Sequence, residues 1–162
     1  MTVTHNWTLP ADTTAAAAGR DFVRSALANY GHARDTASAD DDPDADDDPD
    51  ADDDPDADDD PDADDDPDAE VAAAVTSELC TNAILHGSPP QSLKFVIDRE
   101  HLRIEVSNSN RVGGTVPKLA TMPINSDTVG GRGLNLVNVL SSTWGTEVNS
   151  GSTTVWANIC RT

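Results

Sequence analysis

Glu78, Asn82 and His86 lie four residues apart in the stretch SELCTNAILHGS, Ser77 to Ser88. At 3.6 residues per turn they stack on one face of a helix. Val71, Val75, Leu79 and Ala83 repeat at the same spacing further round, so an apolar seam adjoins the polar stripe. A solvent face would more usually carry Lys and Arg. A carboxylate, an amide and an imidazole beside a seam point instead to one wall of a lined pocket. GGRGLNLVNVLSS offers a second wall: Gly130, Gly131 and Gly133 precede a helix that keeps Leu134, Val137 and Leu140 at helical spacing. Glycines there let the backbone approach a phosphate, and the free N–H groups and helix dipole favour an anion. Gly-rich helix starts are common, so that wall alone carries little. Each residue also has a plainer reading: Glu78 as a surface charge, Arg132 as a solvated helix start, His86 as a packed or capping histidine.

These side chains need elements to hold them. Val3 to Leu9 reads as an edge strand, and Pro10-Ala11-Asp12 as a helix start capped by Asp12. Phe22, Ala26 and Tyr30 form one i,i+4 series, Val23 and Leu27 another, and Gly31 suits the C-terminal cap. Arg20 and Arg24 share a line away from that seam, as a solvated face or a partner-binding patch. A second helix spans about Ala69 to His86 and is ended by Gly87 and Pro89-Pro90. LKFVID and LRIEVSN alternate as strands joined at Arg99-Glu100. Leu102, Ile104, Val106 and Asn108 share one parity, so Asn108 faces the side that helices must cover. The irregular stretch Ser109 to Val129 is long enough to be functional or mobile. TWGTEVNSGSTTVWANI closes the chain as two strands joined at Asn149 to Ser152, with Thr153, Val155, Ala157 and Ile159 looking inward. Helices packed on one face of such a sheet make an α+β fold, a two-layer α/β sandwich.

The formal charge of −20 over 162 residues comes from one segment. Asp40 to Ala69 is DDDPDA five times over and holds 20 of the 30 acidic residues, leaving ten against ten Lys and Arg. With no large apolar side chain and Pro every sixth residue, it reads as a disordered, solvated loop. Such a loop costs little entropy to lengthen, so it is expected to interrupt one domain, 1–162, rather than divide two. Its charge density allows weak Ca²⁺ or Mg²⁺ association or nucleic-acid mimicry, but it lacks the Gly and closing Glu of an EF-hand loop. No apolar run approaches a membrane span, and MTVTHNWTLP lacks the form of a signal peptide. Cys80 and Cys160 have no metal spacing and read as reduced, buried thiols of a cytoplasmic protein.

ELCTNAILHG resembles the N-box of the Bergerat-fold (GHKL, histidine-kinase-like) ATPases. VSNSN stands where that family carries its adenine-reading segment. GGRGLNLV is similar to its second glycine box and TTVWANI to its closing strand. LPADTTAAAAGRDFVRSAL is similar to the first strand and helix of the small single-domain branch, the bacterial anti-sigma-factor serine/threonine kinases. The resemblance covers nearly all of the chain outside the repeat. It implies ATP and Mg²⁺ as cofactors, with Asn82 as the Mg²⁺ ligand and Glu78, one turn earlier, as general base. Asn108 would contact the adenine amino group. Gly131, Arg132 and Gly133, with the N–H groups that follow from Leu134 on, would hold phosphate. Thr153 would place a hydroxyl near adenine, Thr154 being the competing choice that parity disfavours. Ser109 to Val129 would be the lid over ATP.

The family usually has Asp where this chain has Asn108. Asn keeps an acceptor but loses the charge, a difference of about 1 kcal/mol or roughly five- to tenfold in affinity. The glycines that normally follow are replaced by Ser109 and Asn110. The resemblance implies a regulator that passes the γ-phosphoryl of ATP to a serine of an antagonist protein and sequesters a sigma factor, plausibly through the helix around Arg20 and Arg24. Such relatives commonly act as dimers. The rival reading keeps the fold as a non-catalytic binding module. A third makes the acidic repeat the active part.

Overall fold

The computed structural model describes residues 2–38, 67–109 and 132–162. In chain order these form β1 (Val3–Thr8), α1 (Ala15–Ser38), α2 (Pro67–His86), β2 (Ser88–Ile97), β3 (His101–Ser109), α3 (Arg132–Leu140), β4 (Thr143–Val148) and β5 (Ser152–Cys160). The strands make one antiparallel sheet in the order β1-β2-β3-β5-β4. The helices lie on one of its faces, which gives the α+β two-layer sandwich expected from the alternation of the strands. The acidic repeat up to Asp66 and nearly all of the expected lid, 110–129, lie outside the described residues.

Strand alternation fixes which face is covered. Leu93, Phe95 and Ile97 of β2, Leu102, Ile104 and Val106 of β3, and Val155, Ala157 and Ile159 of β5 are all buried. They meet side by side through the pairings Leu93↔Val106 and Val106↔Val155, Phe95↔Ile104 and Ile104↔Ala157, Ile97↔Leu102 and Leu102↔Ile159. The β2–β3 hairpin turns at Arg99-Glu100, where the Asp98 carboxylate accepts the N–H groups of Glu100 at 2.9 Å and His101 at 2.8 Å. Those bonds, the Glu100 one foremost, hold the exposed Asp98 carboxyl below its ordinary range.

α2 is the central helix. Ala72, Val75, Thr76, Leu79, Cys80 and Ala83 are buried, a set too wide for one stripe, because α2 packs against α1, α3 and the sheet together. Burial pushes the Cys80 thiol up to about 12, so it stays protonated and inert. Cys160 is exposed at the end of β5, not buried as expected; it falls on the parity opposite to Ile159.

Four boundaries differ from the sequence reading. α1 begins at Ala15, behind a turn in which Asp12 accepts from the Thr14 N–H at 2.8 Å and its hydroxyl at 2.5 Å. It then continues through Gly31 to Ser38 rather than capping there. His32 Nδ1 lies 2.8 Å from the Ala28 carbonyl oxygen, one turn back across the glycine. α2 begins at Pro67, so the last three residues of the fifth repeat unit are helical rather than loop. β2 begins at Ser88 and takes in Pro89-Pro90 beside a register irregularity. Arg20 and Arg24 both reach α2: Arg20 donates to the Ser77 hydroxyl at 2.9 Å, and Arg24 forks onto the Glu70 carboxylate at 2.9 and 3.1 Å. The pair ties helix to helix rather than lying unengaged.

Candidate functional site

The open end of the seam between α2 and the sheet gathers the predicted side chains. Glu78 and Asn82 are half-buried on α2, one turn apart. His86 ends the helix exposed, outside this group. Asn108 sits near the end of β3, paired across the ladder with Gln91 of β2 and Thr153 of β5. Thr153 is buried towards the helices. Thr154 turns to the other face, its hydroxyl 2.7 Å from that of Ser107, as strand parity requires.

Two glycines set the approach of these parts. A Cβ at Gly133 would collide with Oε2 of Glu78. The first turn of α3 therefore lies against that carboxylate, with Leu134 half-buried beside it. A helix start carries unpaired N–H groups and a partial positive charge, which suits an anionic neighbour. A Cβ at Gly87 would stand 2.5 Å from the Ala83 carbonyl oxygen and 2.5 Å from Asn108 Cγ. The chain leaving α2 thus passes directly over Asn108. Arg132 opens α3, and Gly131 lies outside the described residues.

Polar groups here are incompletely matched. Asn82 Nδ2 is buried with no partner among the described residues, so nothing fixes the direction of that amide and it can present its oxygen instead. Asn82 and Glu78 supply hard oxygen donors. Among the described residues no cluster of three or more His, Cys, Asp or Glu could cage a metal. Oxygen donors of this kind are the type Mg²⁺ takes, one or two from protein, with phosphates and water filling its octahedron. Asn108 Nδ2 donates to the Ser109 carbonyl at 3.1 Å, a bond an aspartate could not make.

Gln91 belongs to this group and sequence reasoning missed it. It is 2% exposed, its Nε2 donates to the Ala83 carbonyl at 3.0 Å, and its Oε1 is buried without a partner among the described residues. The signal was its parity with Leu93, Phe95 and Ile97, masked by the prolines just before it.

A carboxylate, an amide, a helix start and a row of polar side chains lie together at this end of the α2–sheet seam, donors and acceptors of the kind that hold a phosphate and its cation. Over residues 9–159 the chain matches the family model described as Histidine kinase-like ATPase domain. No curated protein matches the chain.

Proposed function

Because the chain belongs to the histidine kinase-like ATPase domain family, we propose that it binds Mg-ATP between α2, α3 and the sheet and phosphorylates a serine of a partner protein. The observation that carries this reading is Glu78, whose carboxylate reaches from α2 to the first turn of α3 at Gly133. In this reading Glu78 is the base, and its nearness to the helix start where phosphate is expected supports that role. Glu78 takes the proton of the serine hydroxyl. The serine oxygen bonds to the γ-phosphorus as its bond to the β–γ bridging oxygen breaks, and ADP leaves. Asn82 would hold Mg²⁺, which would supply neutralisation of the phosphate charge. Gly131, Arg132, Gly133 and the Leu134 N–H cradle the phosphates, while Asn108 and Thr153 meet the base. The partners in this reading are an antagonist protein carrying the serine and a sigma factor, a pairing that rests on the resemblance of LPADTTAAAAGRDFVRSAL. A second copy of the chain belongs to the same reading.

One observation favours the rival, a non-catalytic regulatory module with a weakened nucleotide site. Asn108 is neutral, and its Nδ2 is occupied by the Ser109 carbonyl.

Calorimetric titration of Mg-ATP into wild type and Asn82→Ala tests the site. Saturable binding abolished by the substitution is the expected result. No binding to wild type at millimolar ATP sinks the proposal. Label from γ-labelled ATP arriving on a partner serine, and falling at least about a hundredfold in Glu78→Gln, separates the kinase from the module.

A further inference from the structure

The helix-facing side of the sheet is built in rows, and one row differs. Across β2, β3 and β5, Leu93–Val106–Val155, Phe95–Ile104–Ala157 and Ile97–Leu102–Ile159 are apolar and buried. Beyond them, at the Gly87 end of α2, the same three strands carry Gln91–Asn108–Thr153, all polar, with Val148 of β4 next in the row. A buried polar side chain costs stability unless its groups are matched. Among the described residues Gln91 is matched on one side only.

Chemistry fixes which side. The Ala83 carbonyl can only accept, and it takes the Gly87 N–H at 2.9 Å as well as Gln91 Nε2 at 3.0 Å. The amide nitrogen of Gln91 must therefore face α2, which leaves Oε1 as the unmatched end. The backbone cannot drift either, since the Leu9 N–H donates to the Gln91 carbonyl at 3.0 Å. Asn108 obeys the same logic. Its Nδ2 faces the Ser109 carbonyl, so Oδ1 is its remaining arm. Two neutral acceptors thus stand on paired positions of neighbouring strands, whose Cα atoms lie about 5 Å apart.

We infer that Gln91 is a base-specificity residue: its Oε1 and Asn108 Oδ1 together read the exocyclic amino group of adenine. This rests on the ATP-binding reading above. An amino group carries two N–H donors, one for each oxygen. A ring carbonyl at that place would set a third acceptor against two and leave all of them unpaired. Two neutral acceptors do the work that one charged carboxylate would do alone, which gives Asn108 a reason to remain an amide.

The test titrates Mg-ATP and Mg-ITP into wild type and Gln91→Met, with folding followed by thermal melting. Inosine presents a carbonyl where adenine presents the amino group. Wild type is expected to prefer ATP by at least about thirtyfold. Gln91→Met should weaken ATP roughly tenfold and ITP by less than about twofold. Equal affinities in wild type, or equal weakening of both nucleotides in the variant, would overturn the role of Gln91. Equal weakening would leave it as a latch on Ala83. If Gln91→Met does not fold, wild type decides: N6,N6-dimethyl-ATP has no N–H left and must bind no better than ITP, and binding like ATP overturns the inference. Wild type that binds neither ATP nor ITP overturns the ATP-binding reading itself.

Discussion

Gly133 and Glu78 touch at a point where one is backbone and the other is the far end of a flexible side chain. A methyl group at Gly133 need not unfold the protein, since the carboxylate can swing aside. It does displace the proposed base. Gly133→Ala should therefore lower phosphoryl transfer at least about tenfold while the melting temperature stays within a few degrees of wild type. A collapse of stability would mean that the glycine serves packing alone. At this scale the sequence told much. Glu78 and Asn82 share a face because their spacing demands it, and Thr153 rather than Thr154 turns inward by parity. Gln91 escaped because LKFVID reads as a strand beginning at Leu93. The prolines before it are typical of a strand's first residues, and they conceal that the alternation begins earlier.

Elements were legible where a single period governs them, as in β5, where every second residue is buried, and in β3 as far as Val106. Their boundaries were less so, because ends are decided by tertiary contacts. Gly31 looks like a cap but lies within a helix that continues to Ser38. Arg20 and Arg24 look free until α2 is set beside them. The sheet's other face shows the same dependence on neighbours. Glu105 accepts from Arg103 at 2.6 Å and Lys94 at 3.3 Å, and the Arg103 guanidinium lies 4.4 Å from the Trp156 ring centroid. Burial alone would raise the Glu105 carboxyl, but the Arg103 hydrogen bond and the charges of Lys94 and Arg103 outweigh it, leaving it below the ordinary 4.5. A carboxyl lowered by folding stabilises fully above its unfolded value and loses that contribution as pH falls through the folded one. Urea midpoints measured from neutral pH down to about pH 3 should therefore fall less steeply in Glu105→Gln than in wild type. Identical acid limbs would show that the carboxylate adds nothing.

Across the whole molecule one contact gathers distant parts of the chain. Asp68, buried in the first turn of α2, accepts from Arg161 Nε at 3.2 Å and from the Thr162 N–H and hydroxyl at 3.3 and 3.1 Å. Arg161 also lies over the Tyr30 ring of α1, and its N–H donates to the Glu100 carbonyl in the β2–β3 hairpin. Composition concealed this, because Asp68 is one of 20 aspartates in an otherwise monotonous stretch. Removing one partner of a buried ion pair leaves the other uncompensated. Asp68→Asn is expected to cost about 3 kcal/mol by urea denaturation. Deleting Asp46 to Ala63, three whole units, should change stability by about 1 kcal/mol or less. Equal losses from both would place the importance of the repeat in its length rather than its last aspartate. The units are identical, so whichever comes last delivers the same Pro-Asp-Ala to the start of α2. Replication slippage that gains or loses whole units therefore regenerates the same junction each time. A chain longer or shorter by whole units keeps the same first turn of α2 and the same tie from Asp68 to Arg161 and Thr162.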